Sequence, residues 1–214
     1  MNIKKLGIAL LLGLVPFTTN ADKKGSNEEQ LDELSFTEMI NSVPLDNKSA
    51  VLIRRFQEKE GLSRLFKKPY GNNNNAGVQK YRNKEVLLLT IPSSLLFAPN
   101  ELELKAGAEK YLNPIKRYLK EPDMYRVLLV MHTDNTGSDA YREQITEQRS
   151  TEVYKWFVNQ GCDTSHLFSY AYSDEMPLVD NNSLSNRDKN RRLEVYLVPG
   201  KKMLEQAKKG RIVF

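Results

Sequence analysis

Residues 125–149 read YRVLLVMHTDNTGSDAYREQITEQR. Three signals follow one another in this stretch. Val127-Leu128-Leu129-Val130 is a continuous apolar run, the mark of a strand buried on both faces. Asp134-Asn135-Thr136-Gly137 is a polar turn whose glycine permits a tight reversal. From Asp139 the chain reads as a long helix to Asn159, stopped by Gly161, a residue type at which helices commonly end. The result is an acid, Asp134, at the end of a strand and a cation, Arg149, deep in the next helix. A carboxylate accepts hydrogen bonds from an ammonium, and a planar guanidinium forks onto a carboxylate. The pair therefore suits a zwitterion. Arg149 lies about 15 Å along the helix axis from Asp139 at 1.5 Å per residue. The two meet only if the turn folds back beside the helix, and spacing alone leaves that open. Taken singly, Asp134 also reads as a turn or capping acid, and Arg149 as a solvated residue or a partner of Glu152.

The flanking segments extend this unit. Glu85 to Ile91 (EVLLLTI) predicts a strand, and Ser93 to Phe97 a short extended piece after Pro92. Leu102 to Leu119 predicts a helix with Leu104, Ala108, Tyr111, Leu112, Ile115 and Leu119 inward, kinked or broken at Pro114. Leu167 to Ala171 reads as a third strand, residues 173–190 as turn-rich chain, and Arg192 to Val198 as a final strand of alternating pattern. The order β-α-β-α-β-β predicts an α+β sandwich with helices packed on one face of a mixed sheet. Residues 84–199 are assigned to this domain.

Upstream, residues 22–83 predict a helical extension or linker. Val51, Leu52, Phe56, Leu62, Leu65 and Phe66 recur at roughly helical spacing, and Pro69, Gly71 and Asn72 to Asn75 form a loop signature. Residues 200–214 form a basic, amphipathic tail expected to pack as a short helix. The chain starts MNIKKLGIALLLGLVPFTTNA. A basic start, a short apolar run and small or polar residues at its end predict a signal peptide over 1–21, cleaved after Ala21. The apolar run is about a dozen residues, short of the roughly 20 of a bilayer span. No transmembrane segment is expected after cleavage.

The 214-residue chain carries a formal charge of +5. Loss of Lys4 and Lys5 with the leader lowers it to about +3, short of what a nucleic-acid binder shows. Cys162 is the only cysteine, so no intrachain disulfide forms. It reads as a small apolar residue rather than a nucleophile. His132 and His166 are the only histidines and form no metal-binding spacing. No catalytic residue, metal or cofactor is assigned.

Over residues 95–198 these motifs resemble the OmpA-like C-terminal peptidoglycan-binding domain. That family includes outer-membrane protein A, the peptidoglycan-associated lipoprotein and flagellar stator proteins. Leu96-Phe97 with Asn100 and Leu104 is similar to its opening piece. His132-Thr133-Asp134, then Gly137-Ser138 and Tyr141, is similar to its central motif. Ile145-Thr146 and Arg149 match its helix segment. Gly161, Pro177 and Asn182 fall at its spacing, and Asn190-Arg191-Arg192-Leu193-Glu194 matches its closing motif. The resemblance implies a non-catalytic, exported protein of the periplasm, free or outer-membrane associated. It would anchor to peptidoglycan by gripping the diaminopimelate of the peptide stem through Asp134 and Arg149, with Arg191 as a further ligand-binding arginine. Thr133 and Arg142 join the candidate ligand-binding residues. Two positions depart from the family pattern: Arg142 stands where it usually has Asn, and Ala98 where it has an acid. The alternative reading is a periplasmic scaffold with a degenerate wall site. An outer-membrane or envelope protein would then dock on residues 22–83.

Overall fold

The computed structural model describes residues 36, 40, 46–60, 77–81 and 85–214. The predicted signal peptide, its cleavage point and most of the 22–83 extension lie outside the described residues. The elements run α1 (Asn47–Lys59), β1 (Gly77–Tyr81), β2 (Val86–Pro92), α2 (Ser93–Leu96), α3 (Glu109–Leu112), β3 (Tyr125–His132), α4 (Asp139–Asn159), β4 (Leu167–Ala171), α5 (Leu184–Asn190), β5 (Arg192–Pro199) and α6 (Lys201–Lys208). The five strands form one sheet in the order β1-β2-β5-β3-β4. β5 pairs antiparallel with both β2 and β3, while β4 lies parallel to β3. A parallel neighbour needs a crossover that returns the chain to the starting end, and the long α4 supplies it. The architecture is the expected α+β arrangement of helices on a mixed sheet.

Strand periodicity sorts the sheet's side chains between two cores. Leu87, Leu89 and Ile91 of β2, Val127, Leu129 and Met131 of β3, and Leu193, Val195 and Leu197 of β5 face the helical layer. There they meet Ile53, Leu112, Ile115, Val153, Phe157 and Met203. The alternate residues Val86, Leu88, Leu128, Val130, Tyr196 and Val198 form the second face. Phe36 and Ile40 cover it; both are helical and both fall within the predicted extension. Phe36 stands edge-on to Tyr170, Tyr172 and Tyr196, with centroids 5.0–5.7 Å apart. Both faces are thus closed, which is why β2 and β3 read as largely apolar runs.

Four local expectations are corrected. Ser93 to Phe97 is not extended: Ser93–Leu96 makes one helical turn, and Phe97 then bridges to Leu104. The helix expected over 102–119 begins only at Glu109, because Gly107 adopts the left-handed backbone (φ +86°) and breaks the run. From Asn113 the turn tightens to a 3-10 helix, since Pro114 has no N–H to close an α-helical bond. β1, inside the predicted linker, adds an edge strand to β2. Residues 184–190 of the turn-rich segment form α5, capped by Ser183, whose hydroxyl accepts from Asn186 N–H at 3.2 Å. The basic tail does form a helix, α6, whose Met203 and Ala207 enter the helical core.

The junction of β5 and α6 is set by Gly200. Its N–H donates to the Met124 carbonyl at 2.9 Å, and a Cβ there would stand 2.3 Å from the Asp123 carbonyl oxygen. Gly200→Ala therefore forces two backbone segments apart. It is expected to cost about 1–3 kcal/mol, in the manner of overpacking, measured by denaturant unfolding. An unchanged midpoint would mean that the junction yields freely.

Candidate functional site

The β3 strand ends at His132, and the chain reverses through 133–138 into α4. Asp134 anchors the reversal. Its Oδ1 accepts from Thr136 N–H at 2.7 Å, and its Oδ2 pairs with the Arg191 guanidinium. Gly137, at φ +88°, takes a backbone conformation that side chains rarely adopt. A Cβ there would also meet the Tyr141 ring at 2.8 Å. Ser138 caps α4, accepting from Tyr141 N–H at 3.3 Å. Only 2% of Asp134 is exposed. Burial alone would raise its pKa, but the hydrogen bonds from Thr136 and the charge of Arg191 outweigh this. They hold the carboxyl below the usual carboxylate value, so it is an anion at neutral pH.

Arg149 projects from the middle of α4 into the 93–101 segment. Its Nε donates to the Glu101 carbonyl at 2.9 Å, Nη1 to Ser93 Oγ at 3.3 Å and Nη2 to the Ala98 carbonyl at 3.2 Å. The guanidinium carbon lies 4.8 Å from the Phe97 ring centroid. Burial pushes its pKa down from the ordinary guanidinium value, with the charge of Arg191 adding to the effect. Arginine nevertheless stays charged. Three of the five N–H donors are occupied, which leaves one on each terminal nitrogen, enough to fork onto a carboxylate.

One chain of contacts joins the two predicted residues. Asp134 pairs with Arg191, the Arg191 carbonyl accepts from Ser93 N–H at 2.9 Å, and Ser93 Oγ accepts from Arg149. Arg191, which also pairs with Asp188, is the more accessible partner: 35% of its side chain is exposed, against 3% of that of Asp134. Thus Asp134, Arg149 and Arg191 come together. Arg142 does not join them. It pairs with Asp139 and with Asp174 at 2.9 Å, and donates to the Gly137 carbonyl at 2.6 Å. It fastens the 134–139 turn to the loop after β4. Thr133 is half-buried, with its backbone N–H bonded to the Ser173 carbonyl at 2.9 Å.

Two features escape sequence reasoning. Ser93 links Arg191 to Arg149, and the one hint of it is a polar residue directly after a buried strand and a proline. The second is a buried polar group on the far face of the sheet. Arg192 Nε donates to Glu194 Oε1 at 2.7 Å, and Tyr196 Oη donates to Glu194 Oε2 at 2.8 Å. His132 Nε2 lies 3.3 Å from Glu194 Oε2 but is too poorly aligned for a hydrogen bond. Burial lowers the His132 pKa against the pull of Glu194. Burial would raise that of Glu194, but the contacts to His132 and Arg192 hold it well below the usual value. The alternation of RLEVYLV shows which residues share a face, and does not show that the polar ones are buried together.

Among the described residues no group of three or more His, Cys, Asp or Glu side chains is gathered as a metal site requires. No helix among them is long and apolar enough to cross a membrane. Cys162 is half-buried against the helical core, and burial pushes its thiol pKa up.

Comparison with known proteins places this geometry in context. The OmpA family model matches residues 96–191, from the α2 turn to the Arg191 closing motif. The chain is 26% identical to the probable lipoprotein YiaD of Escherichia coli, over 58% of this chain and 56% of that protein. It is 29% identical to the outer-membrane lipoprotein YfiB of Pseudomonas aeruginosa, over 49% of this chain and 62% of that protein. The matches thus span little more than half the length of these relatives. Among solved structures, a putative MotB-like protein from Desulfovibrio vulgaris superposes with a TM-score of 0.60 at 25% identity, over 71% of this chain and 98% of that one. The cell wall anchor of the T6SS from Pseudomonas aeruginosa, at 21% identity and a TM-score of 0.50, shares the fold.

Proposed function

We propose that this chain, whose residues 96–191 form an OmpA-family domain, is a non-catalytic peptidoglycan-binding protein of the cell envelope. Its ligand is the diaminopimelate of the peptide stem. The observation that carries this reading is the chain of contacts from Asp134 through Arg191 and Ser93 to Arg149. It sets an anion and a cation, each desolvated, at one end of the sheet. Diaminopimelate presents an ammonium and a carboxylate on a single carbon. Its carboxylate fits the two open donors of Arg149. Its ammonium fits Asp134, which already holds the cationic, half-buried Arg191 and would share its carboxylate between the two. Desolvated charges discriminate sharply, because a ligand lacking one partner leaves the other unpaired. Arg142 enters this reading as the brace of the 134–139 turn, and Thr133 as the residue that spaces Asp134 from β3. The names of the relatives, two of them lipoproteins, favour the envelope as the place of action.

The test is co-sedimentation of the purified protein with insoluble peptidoglycan sacculi. Saturable pelleting is expected, competed by free diaminopimelate and lost in Asp134→Ala. A stem whose diaminopimelate carboxylate is amidated is expected to bind weakly, since Arg149 then has no anion to hold. A folded protein that stays in the supernatant, or an Asp134→Ala variant that pellets as well as the parent, rules the reading out.

A further inference from the structure

The candidate wall site occupies one pole of the sheet, and the opposite pole is strongly basic. Arg191 precedes β5 and Lys201 follows it at one residue's remove, so the length of the strand separates them. Eight residues of strand span about 26 Å. At the far pole α6 packs against α1, and both back onto the helical core through Ile53, Met203 and Ala207. Their outward stripes share the surface of that layer. On α1 the stripe carries Lys48, Arg55 and Lys59, at helical spacings of seven and four and opposite the buried Ala50, Ile53 and Gln57. On and after α6 it carries Lys201, Lys208, Lys209 and Arg211, all exposed.

The acids nearby neutralise little of this. Glu58 pairs with Lys80 and Glu60 with Arg117, and Glu121 is matched by Lys202, a further cation of α6. Glu205 is the single acid on the outward stripe of α6. Seven cations without an ion pair among the described residues therefore line one surface.

We infer that this α1–α6 face docks on an anionic phospholipid membrane. Four features select that partner. The surface is the outward side of two packed helices, which presents its cations side by side. Five of the seven cations are lysines, compact point charges suited to a diffuse headgroup layer rather than to the two-pronged grip of a defined anion. The face lies about the length of β5 away from the pole assigned to the wall, so it adds nothing to the grip on a stem there. A domain holding the wall at one pole and a charged bilayer at the other spans the gap between them. Only the orientation relative to the wall rests on the function proposed above; the lipid contact stands on the charge pattern.

The experiment is flotation of the processed protein, recovered from the cell envelope, with vesicles of mixed phosphatidylglycerol and phosphatidylcholine, and with vesicles of phosphatidylcholine alone. Binding to the anionic vesicles only is expected, lost as salt rises from about 0.1 M to about 0.5 M. The quadruple variant Lys201→Gln, Lys208→Gln, Lys209→Gln, Arg211→Gln changes only exposed side chains. It is expected to bind anionic vesicles at least about a hundredfold more weakly while pelleting with sacculi like the parent. Equal binding to both vesicle types, no vesicle binding, or a variant that floats like the parent each overturns the inference. Loss of sacculus pelleting in the variant, without vesicle binding by the parent, assigns the basic face to the wall polymer instead. Failure of the parent to pellet with sacculi while it floats with anionic vesicles removes the wall reading and leaves the membrane contact standing.

Discussion

Glutamine in place of Glu194 is expected to cost about 3 kcal/mol of stability, the lower end of the range for breaking a buried ion pair. Only 4% of Glu194 is exposed and only 2% of Arg192. Its two oxygens take hydrogen bonds from Arg192 and Tyr196, and the His132 ring stands beside them. Glutamine keeps the shape and loses the charge, which leaves the Arg192 guanidinium buried against the neutral carbonyls of Asn190 and Met176. Adding Arg192→Met removes the unpaired charge and is expected to recover part of the loss. Denaturant unfolding at neutral pH reads both.

The same group predicts the acid response. Glu194 has a folded pKa below its ordinary 4.5, so its contribution is fully present above that value and is lost as pH falls through the folded one. His132 is held below 6.5 by burial, so the unfolded chain takes up its proton first and stability falls on acidification there too. Asp134, held below 3.8, has the same sign. Unfolding free energy is therefore expected to decline gently below about pH 6.5 and steeply below about pH 4.5. Glu194→Gln should flatten the steep part. A variant as stable and as acid-sensitive as the parent would show that the Arg192–Glu194 pair contributes no net stability.

The readings that held and those that failed divide along a physical line. β2 and β3 were legible because both faces of the sheet are covered, so each is a largely apolar run, and β5 because its apolar residues alternate. α4 was legible because it has a glycine stop and enough length for a pattern to repeat. α2 and α5 were missed because one or two turns are too short for any period. Their ends are set by Pro92 and Ser183, which read equally well as loop residues. The helix over 102–119 was overdrawn because its apolar spacing is real, while Gly107 and Pro114 decide the backbone. β1 was missed because an edge strand needs only the pairing offered by β2. At the site, opposite charges on adjoining elements made Asp134 and Arg149 candidates, and the resemblance gave them a binding role. Ser93 was invisible because its role is to join segments that are distant in sequence. Arg142, a candidate ligand cation from the sequence, also pairs with Asp174, which lies beyond the next strand. Sequence spacing could not foretell that the two would meet.

Arg149→Lys is expected to abolish sacculus binding, by at least about a hundredfold in Kd, while the protein remains folded. The lysine keeps the positive charge, so the outcome separates charge from geometry. In the parent, three donors of one planar group brace the 93–101 segment while two remain for a ligand. An ammonium has three donors on a single nitrogen. It cannot serve the Glu101 carbonyl, Ser93 and the Ala98 carbonyl and still fork onto a carboxylate. It also gives up the guanidinium's cation–π contact with the Phe97 ring, 4.8 Å from its centroid. Removing one partner of a desolvated, hydrogen-bonded charge pair costs about 2–5 kcal/mol of affinity, which agrees with the expected loss. Arg149→Ala should lose binding as fully and unfold at lower denaturant besides, because the Ser93 hydroxyl and two carbonyls lose their donor. Circular dichroism and the unfolding midpoint distinguish the two variants, and pelleting with sacculi reads the site. If the lysine variant is folded and pellets like the parent, Arg149 is a brace for the 93–101 segment only. The ligand's carboxylate must then be held elsewhere, with Arg191 the nearest accessible cation.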